Sequence, residues 1–316
     1  MAKWIKNILG VIAIVFLLWY LSKHWEKLKV LIKLSPADLV IIYVISFWGA
    51  LNNAYVIQRL LHALRIKPHF WDMFMLQNAS VLLNYAPAKV GTVFQANFLK
   101  CHYRLSYAHF ATFFVYLTLL MTAAASAIGL VALVGFYGVG GYETRALCAA
   151  FSGVLVCSIF FAFVPLPIPT GSHKLSVILR NFLTGRRYVV CEKRTLFVCA
   201  VFLVVNFVLV SIRLGIIYNS MGQNIHLAGY LILGAIGQVA MFASITPGSL
   251  GIRELILGAA AVALGAPLEV GVLAAMIDRA ISLSWTFVIG GICTIWLWHK
   301  SPTEFRQAKK APSLEN

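Results

Sequence analysis

The chain has 316 residues, of which 61% are hydrophobic and only 11% are charged. A soluble domain carries about a quarter charged residues, so this composition excludes a soluble globular protein and indicates a polytopic α-helical membrane protein. The formal net charge is +16. In a membrane protein such an excess of Lys and Arg is typical of cytoplasmic loops, and no nucleic acid partner is expected.

Apolar runs long enough to cross a bilayer as helices follow one another along the chain. They predict an all-α integral membrane bundle in which residues 1–300 form a single transmembrane domain and residues 301–316 a polar cytoplasmic tail. The six cysteines form no C-x-x-C pair, so neither a metal site nor a cofactor is expected. The predicted membrane segments are 5–21, 39–61, 73–100, 107–137, 146–166, 195–218, 228–264 and 268–298.

The connector at residues 172–194 carries six basic residues against one acid, Glu192. Such a connector is predicted to be cytoplasmic, and the nearly uncharged loops 138–145 and 219–227 are predicted to be external. Both termini then lie in the cytoplasm, and the protein is a multi-pass protein of the plasma (inner) membrane. Apolar residues at helical spacing within 174–183 predict an interfacial helix on the cytoplasmic side.

Two segments are interrupted by Pro and Gly at the same spacing. "LLNYAPAKVGTVFQA" (82–96) contains Pro87 and Gly91, and "FASITPGSLGIREL" (242–255) contains Pro247, Gly248 and Gly251. A simple kink is the alternative for either break alone. The topology, however, requires each segment to enter and leave on one side, the first from the cytoplasm and the second from outside.

Re-entrant hairpins of opposite sense are typical of inverted repeats, whose broken helices meet near the bilayer midplane at the substrate site. The half-repeats are predicted at about 39–166 and 195–298. Each break also precedes a new helix start that carries a cation, Lys89 or Arg253.

The first N–H groups of a helix lack partners and attract anions, so these helix starts predict an anion site, with a lipid phosphate as the ligand. Interhelical hydrogen bonding without a ligand is the alternative explanation for the polar residues nearby. The predicted substrate-binding residues are Asn84, Lys89, Thr92, Gln95, Ser249, Arg253 and Glu254.

Two further charges, Asp278 and Arg279, lie inside the last segment. Neighbouring residues do not face each other on a helix, so each is expected to pair elsewhere. The predicted intramembrane ion pairs join Glu254 with Arg279, and Asp278 with Arg253 or Arg213. Arg253 is thus a candidate both for binding a headgroup and for neutralising a buried acid.

The motif "TPGSLGIRE" (246–254) resembles the Pro-Gly-Gly-Leu-Gly-x-Arg-Glu motif of the lysylphosphatidylglycerol synthase transmembrane-region family of flippase-like proteins. "APAKVGTVFQANFLK" (86–100) resembles its Pro-x-x-x-Gly-Glu-x-x-Arg-Ala segment, with Thr92 in place of the acid and Gln95 in place of the arginine. The resemblance spans most of residues 1–300. It implies that a headgroup contact made by that arginine is missing or altered.

The resemblance also implies translocation of a phospholipid, polyisoprenoid-linked or hopanoid-like lipid between leaflets. Membrane lipids are the implied partners, and lipid-biosynthesis enzymes are candidate ones. Members that synthesise aminoacylated lipid carry an added cytosolic domain, whereas this chain ends soon after its last apolar helix, so no enzyme is expected. The alternatives are an ion or small-solute transporter, or an enzyme of polyprenyl-phosphate metabolism.

Overall fold

The computed structural model describes residues 34–86, 89–138, 141–164, 174–243 and 252–300. Within these ranges the chain forms ten α-helices and no strand, and a π-helical turn, Leu133–Tyr137, extends the fourth helix. The predicted segment 5–21 and the tail 301–316 lie outside the described residues. The helices are α1 Pro36–Ala63, α2 Phe70–Leu83, α3 Val90–Tyr103, α4 Tyr107–Ala132, α5 Tyr142–Phe163, α6 Lys174–Cys191, α7 Lys193–Ser220, α8 Leu227–Ala243, α9 Ile252–Ala263 and α10 Leu268–Lys300.

Five of the helical stretches in the described ranges are long and apolar enough to span a membrane. They confirm the predicted all-α, multi-pass membrane bundle. Polar residues mark where such helices begin: Ser35 and Asp38 form a capping box at the start of α1, and Ser106 caps α4. The spans are Pro36–Ala63, Tyr107–Tyr137, Thr144–Phe163, Lys193–Ser220 and Leu268–His299.

The segment predicted at 73–100 is a hairpin of two short antiparallel helices, α2 and α3, here called the first hairpin. Each helix has 14 residues and is therefore about 21 Å long, too short to cross a hydrocarbon core of about 30 Å. The arms meet at both ends. The Tyr103 hydroxyl donates to Asp72 Oδ2 at 2.7 Å, and Gly91 lies against the backbone of Ser80.

The segment predicted at 228–264 is also a hairpin, formed by α8 and α9 and here called the second hairpin. Its arms have 17 and 12 residues, or about 25 and 18 Å. Gly229 lies beside Leu264, and Gly237 lies beside Arg253. The outer ends of the two arms are therefore adjacent, as a re-entrant segment requires.

The two hairpins enter the bundle from opposite ends because α1 and α7 run antiparallel. Arg213 Nη1 lies 3.4 Å from Ser46 Oγ, and Asn52 Nδ2 donates to the Phe202 carbonyl at 2.6 Å, so positions rise along α1 as they fall along α7. The first hairpin follows the carboxyl end of α1. The second follows the carboxyl end of α7.

The helix packing has a two-fold pattern around the α1–α7 pair. α2 of the first hairpin packs on α10, and α8 of the second packs on α4. α2 also packs on α1, as α8 does on α7. An internal two-fold relation requires this pairing. The half-repeats 39–166 and 195–298, and the orientation in the membrane, stay predictions.

The basic connector folds as α6, which extends well past the interfacial helix predicted at 174–183 and packs on α4. Arg186 is buried there. Its guanidinium donates to the Tyr116 hydroxyl at 3.1 Å and to the Ala162 and Val164 carbonyls at the end of α5. These carbonyls have no intrahelical partners, and the arginine on α6 satisfies them.

Candidate functional site

A group of charged side chains lies inside the bundle where α9 begins. It consists of Arg213, Arg253, Glu254, Asp278 and Arg279, and is called the arginine cluster below. Asp278 on α10 contacts two arginines: Arg213 Nη2 lies 2.7 Å from its Oδ1, and Arg253 Nη2 lies 3.3 Å from its Oδ2. The Asp278 side chain is only 1% exposed.

A second ion pair joins α9 and α10 through Glu254 and Arg279, the residues that follow Arg253 and Asp278 in the sequence. Arg279 Nη1 lies 2.5 Å from Glu254 Oε1, and both side chains are buried. Because α9 and α10 run antiparallel, the first turn of α9 meets Asp278 and Arg279 at one level. The structure thus brings together all five residues of the predicted intramembrane ion pairs.

The arginine cluster lies well inside α9 and α10, away from the ends of the two helices that lie beside Ala263 and Leu268. Arg253 stands ten residues before Ala263 at the outer end of α9, and Asp278 stands ten residues after Leu268 at the outer end of α10. At 1.5 Å per residue, both lie about 15 Å from the end where the second hairpin enters. A hydrocarbon core is about 30 Å thick.

The arginine cluster contains three cations and two carboxylates, so it has an excess of one positive charge. The Arg213 and Arg253 side chains are 14% and 20% exposed, and their Nε atoms have no hydrogen-bond partner within the part of the chain that the structure describes. The Arg213–Asp278 contact also lacks hydrogen-bond geometry. Both guanidiniums therefore have capacity to bind an anion.

The turn of the first hairpin is held by a neutral side chain. Asn84 Oδ1 accepts from the Thr92 backbone N–H at 3.0 Å and lies 3.3 Å from the Thr92 hydroxyl, so it caps the first turn of α3. A Cβ on Gly91 would lie 1.9 Å from the Ser80 carbonyl oxygen, so only glycine fits this close approach. Lys89 directly precedes α3 as its N-cap residue, with φ 51°, and is exposed, whereas Gln95 is buried.

The first hairpin approaches the arginine cluster through Tyr85. Its ring stacks on Phe287 of α10 with centroids 6.4 Å apart, and it lies within electrostatic range of Arg279 and Arg253. Lys89 makes no ion pair among the described residues. The predicted break and site residues Pro87, Pro247, Gly248, Ser249 and Gly251 lie outside those residues, so their roles stay predictions.

A half-open cavity of about 210 Å³, lined by both apolar and polar side chains, adjoins the arginine cluster between α1, α2, α7 and α10. Arg213 lines it, so one side chain belongs to both features. Sequence reasoning missed this cavity, although isolated amides on apolar helices were a signal. The other polar side chains that line it are Ser46, Asn53, Gln77, Asn78, Asn206, Ser282 and Thr286.

The comparisons with known proteins give one match. The family described as the lysylphosphatidylglycerol synthase TM region matches residues 7–291. Neither the curated proteins nor the solved structures gave a match.

Proposed function

The chain belongs to the lysylphosphatidylglycerol synthase transmembrane-region family, and from this premise we propose that it binds the anionic headgroup of a membrane lipid and moves that lipid between leaflets. The family relates this integral, multi-pass membrane protein to lipid handling. The matched family is a transmembrane region, and we propose transport without covalent chemistry. We place the protein in the plasma membrane with both termini in the cytoplasm.

The observation that carries this proposal is the uncompensated positive charge of the arginine cluster. A cation near the bilayer centre costs about 2.5–3.5 kcal/mol unless a partner relieves it, so an excess of cations at this depth needs a reason. Arg253 and Arg213 share one carboxylate, and their Nε groups have no hydrogen-bond partner among the described residues. A phosphodiester supplies the missing negative charge and accepts from both guanidiniums.

Asp278 has a defined role in this scheme. Without a lipid, it keeps both arginines paired, because an unpaired buried charge is strongly destabilising. A headgroup phosphate adds a second anion to this pair of guanidiniums. Asp278 stays paired, and the added charge offsets the excess cation.

The apolar surroundings favour a lipid over a water-soluble anion. Large apolar side chains cover the outer faces of the helices, and on α1 Val40, Val44 and Trp48 are exposed. A lipid can keep its tails in the bilayer along such faces while its headgroup reaches the cluster. The two short-armed hairpins enter from opposite ends, which gives a headgroup a route from either leaflet.

A scrambling assay tests the proposal. Liposomes containing the purified protein and a fluorescent phosphatidylglycerol are treated with an external quencher, and the rate at which inner-leaflet lipid becomes accessible is measured. We expect Arg253→Ala to lose most of the transport and Arg253→Lys to recover part of it, because an ammonium cannot form the two-pronged contact. Arg187→Ala, on the exposed face of α6, is the matched control and should transport normally.

Transport by Arg253→Ala at the wild-type rate would reject the role of this cluster. If Arg253→Ala loses transport, a measurement of its stability distinguishes the loss of the site from misfolding. Asp278 keeps Arg213 at 2.7 Å when Arg253 is removed, so the variant should remain folded.

A further inference from the structure

Helices α1 and α10 both line the cavity beside the arginine cluster, yet within the described ranges they make little direct contact with each other. α1 packs extensively on α7, and α10 packs extensively on α2. The cavity therefore lies along a boundary between two helices that are held mainly by other partners. This boundary is called the α1–α10 seam below.

Two side-chain contacts bridge the α1–α10 seam. The Tyr43 hydroxyl lies 2.6 Å from Ser284 Oγ. Ser284 Oγ already donates to the Ile281 carbonyl at 2.8 Å, so the Tyr43 hydroxyl is the donor across the seam. One turn further along α1, the Phe47 ring meets the Trp285 ring edge-on, with centroids 6.3 Å apart.

The inner side of the seam leads to the arginine cluster. Trp285 lines the cavity, and so does Ser46, the residue that precedes Phe47 on α1. Arg213 Nη1 lies 3.4 Å from Ser46 Oγ, and Arg213 Nη2 lies 2.7 Å from Asp278 Oδ1. A group that enters between α1 and α10 at this level therefore reaches Arg213 without crossing another helix.

The outer side of the seam carries exposed apolar side chains on two membrane-spanning helices. Tyr43 and Phe47 are 36% and 41% exposed. Val40 is exposed one turn before Tyr43 on α1, and Val288 is exposed one turn after Ser284 on α10. Lipid tails can lie along such edges while a headgroup crosses between the helices, so the seam is suited to a lipid more than to a water-soluble group.

The contacts that close the seam are weaker than the packing around it. A hydrogen bond between helices in a membrane protein contributes modestly to their association, and so does one edge-on pair of rings. Their loss would leave Asn52 Nδ2 bonded to the Phe202 carbonyl between α1 and α7, and Gly290 packed against the Asn78 backbone between α10 and α2. Separation of the seam therefore breaks none of the main helix contacts.

We propose that the α1–α10 seam is a lateral gate that admits the lipid headgroup from the bilayer to the arginine cluster, and that the two bridging contacts keep it closed. When Tyr43 and Phe47 move away from α10, the headgroup crosses between the helices and the tails stay outside. This inference rests on the proposed function, because it assigns the path by which the lipid reaches the site.

Reversible cross-linking of the seam tests the gate in the scrambling assay with fluorescent phosphatidylglycerol. The full-length double variant Tyr43→Cys and Ser284→Cys is joined by a short bifunctional methanethiosulfonate, which a reductant cleaves. We expect the joined protein to lose most of its transport and the reductant to restore it. The single variants Tyr43→Cys and Ser284→Cys are the matched controls. They keep the native cysteines, and each should transport at the same rate before and after treatment.

Removal of one hydroxyl gives a second arm that does not depend on cross-linking. Tyr43→Phe deletes the hydrogen bond across the seam and keeps the ring, while Ser284 Oγ keeps its bond to the Ile281 carbonyl. The transport rate should rise about two- to tenfold, the factor expected for one net hydrogen bond. Tyr55→Phe is the matched control and should transport at the wild-type rate, because the Tyr55 hydroxyl accepts from Arg59 Nε within α1.

The outcomes separate the gate from the proposed function. Transport by the joined double variant at its unjoined rate, or equal rates of Tyr43→Phe and Tyr55→Phe, would overturn the gate while leaving the arginine cluster its proposed role. An equal loss in a treated single variant would also overturn the gate, because the loss would not require α1 and α10 to be joined. Absence of transport by the untreated wild type would overturn the proposed function itself. If size-exclusion profiles show that the double variant does not fold, the comparison of Tyr43→Phe with Tyr55→Phe decides the question.

Discussion

The two hairpins share one geometry and differ in chemistry where the second arm begins. Each is a pair of short antiparallel helices, and the second arm of each starts with N–H groups that have no intrahelical partner. The first hairpin uses the neutral Asn84 to cap α3, whereas charged residues occupy the first turn of α9. A neutral cap is complete in itself. An arginine cluster with excess charge is not, so the second hairpin is the one suited to bind an anion.

The difference is already present in the sequence. When the two motifs are aligned through their Pro and Gly, Val93 falls opposite Arg253 and Phe94 opposite Glu254. The two hairpins also differ in packing. α9 packs extensively along α10, which carries the ion-pair partners of its charged residues, whereas α3 packs mainly on α2. The shared geometry therefore does not imply a shared role.

The largest expected effect concerns the ion pairs of the second hairpin. Arg279→Ala removes the 2.5 Å contact of buried Glu254 and should lower the free energy of unfolding by about 3–5 kcal/mol. Arg253→Ala should lower the free energy of unfolding much less, because Asp278 still pairs with Arg213. Detergent unfolding curves of both variants measure the difference. Equal losses would show that the two arginines play the same structural role.

A smaller effect is expected in the first hairpin at Gly91. Gly91→Ala places a Cβ 1.9 Å from a backbone oxygen, which no side-chain movement can relieve, and should cost about 1–3 kcal/mol. Gly153→Ala is the control, because nothing lies within 4 Å of its added Cβ. Thermal unfolding in detergent compares them. A Gly91→Ala variant as stable as the control would contradict the close packing of α2 on α3.

The smallest effect is expected from the neutral cap. Asn84→Ala removes the acceptor for the Thr92 N–H and should destabilise the protein by about 1 kcal/mol. Asn84→Asp keeps an acceptor and should retain most of the stability. If the first hairpin carried the headgroup, Asn84→Ala would abolish lipid binding while stability stayed constant, and the comparison between the hairpins would fail.

The sequence predicts much of this architecture for physical reasons. Apolar runs must become helices in a bilayer because no water satisfies their backbone, and a Pro-x-x-x-Gly break cannot continue a helix. Charges inside apolar segments need partners, so ion pairs involving Asp278 and Arg279 could be anticipated. These predictions use local pattern alone.

Other features depend on how distant helices pack, and local pattern does not contain them. Asp278 contacts two arginines because α7, α9 and α10 meet at one level. The sequence did not predict that Asn84 caps α3, which happens because the hairpin brings Thr92 against it. Its role in substrate binding stays a prediction. The cavity amides Asn53 and Asn206 come together only through the antiparallel packing of α1 and α7.

The central claim is that the arginine cluster binds a lipid phosphate, and native mass spectrometry of the purified protein tests it most directly. We expect wild type and Arg187→Ala to retain an anionic phospholipid through purification, and Arg253→Ala to lose it while remaining folded. Retention of the same lipid by folded Arg253→Ala, at the wild-type level, would contradict the claim.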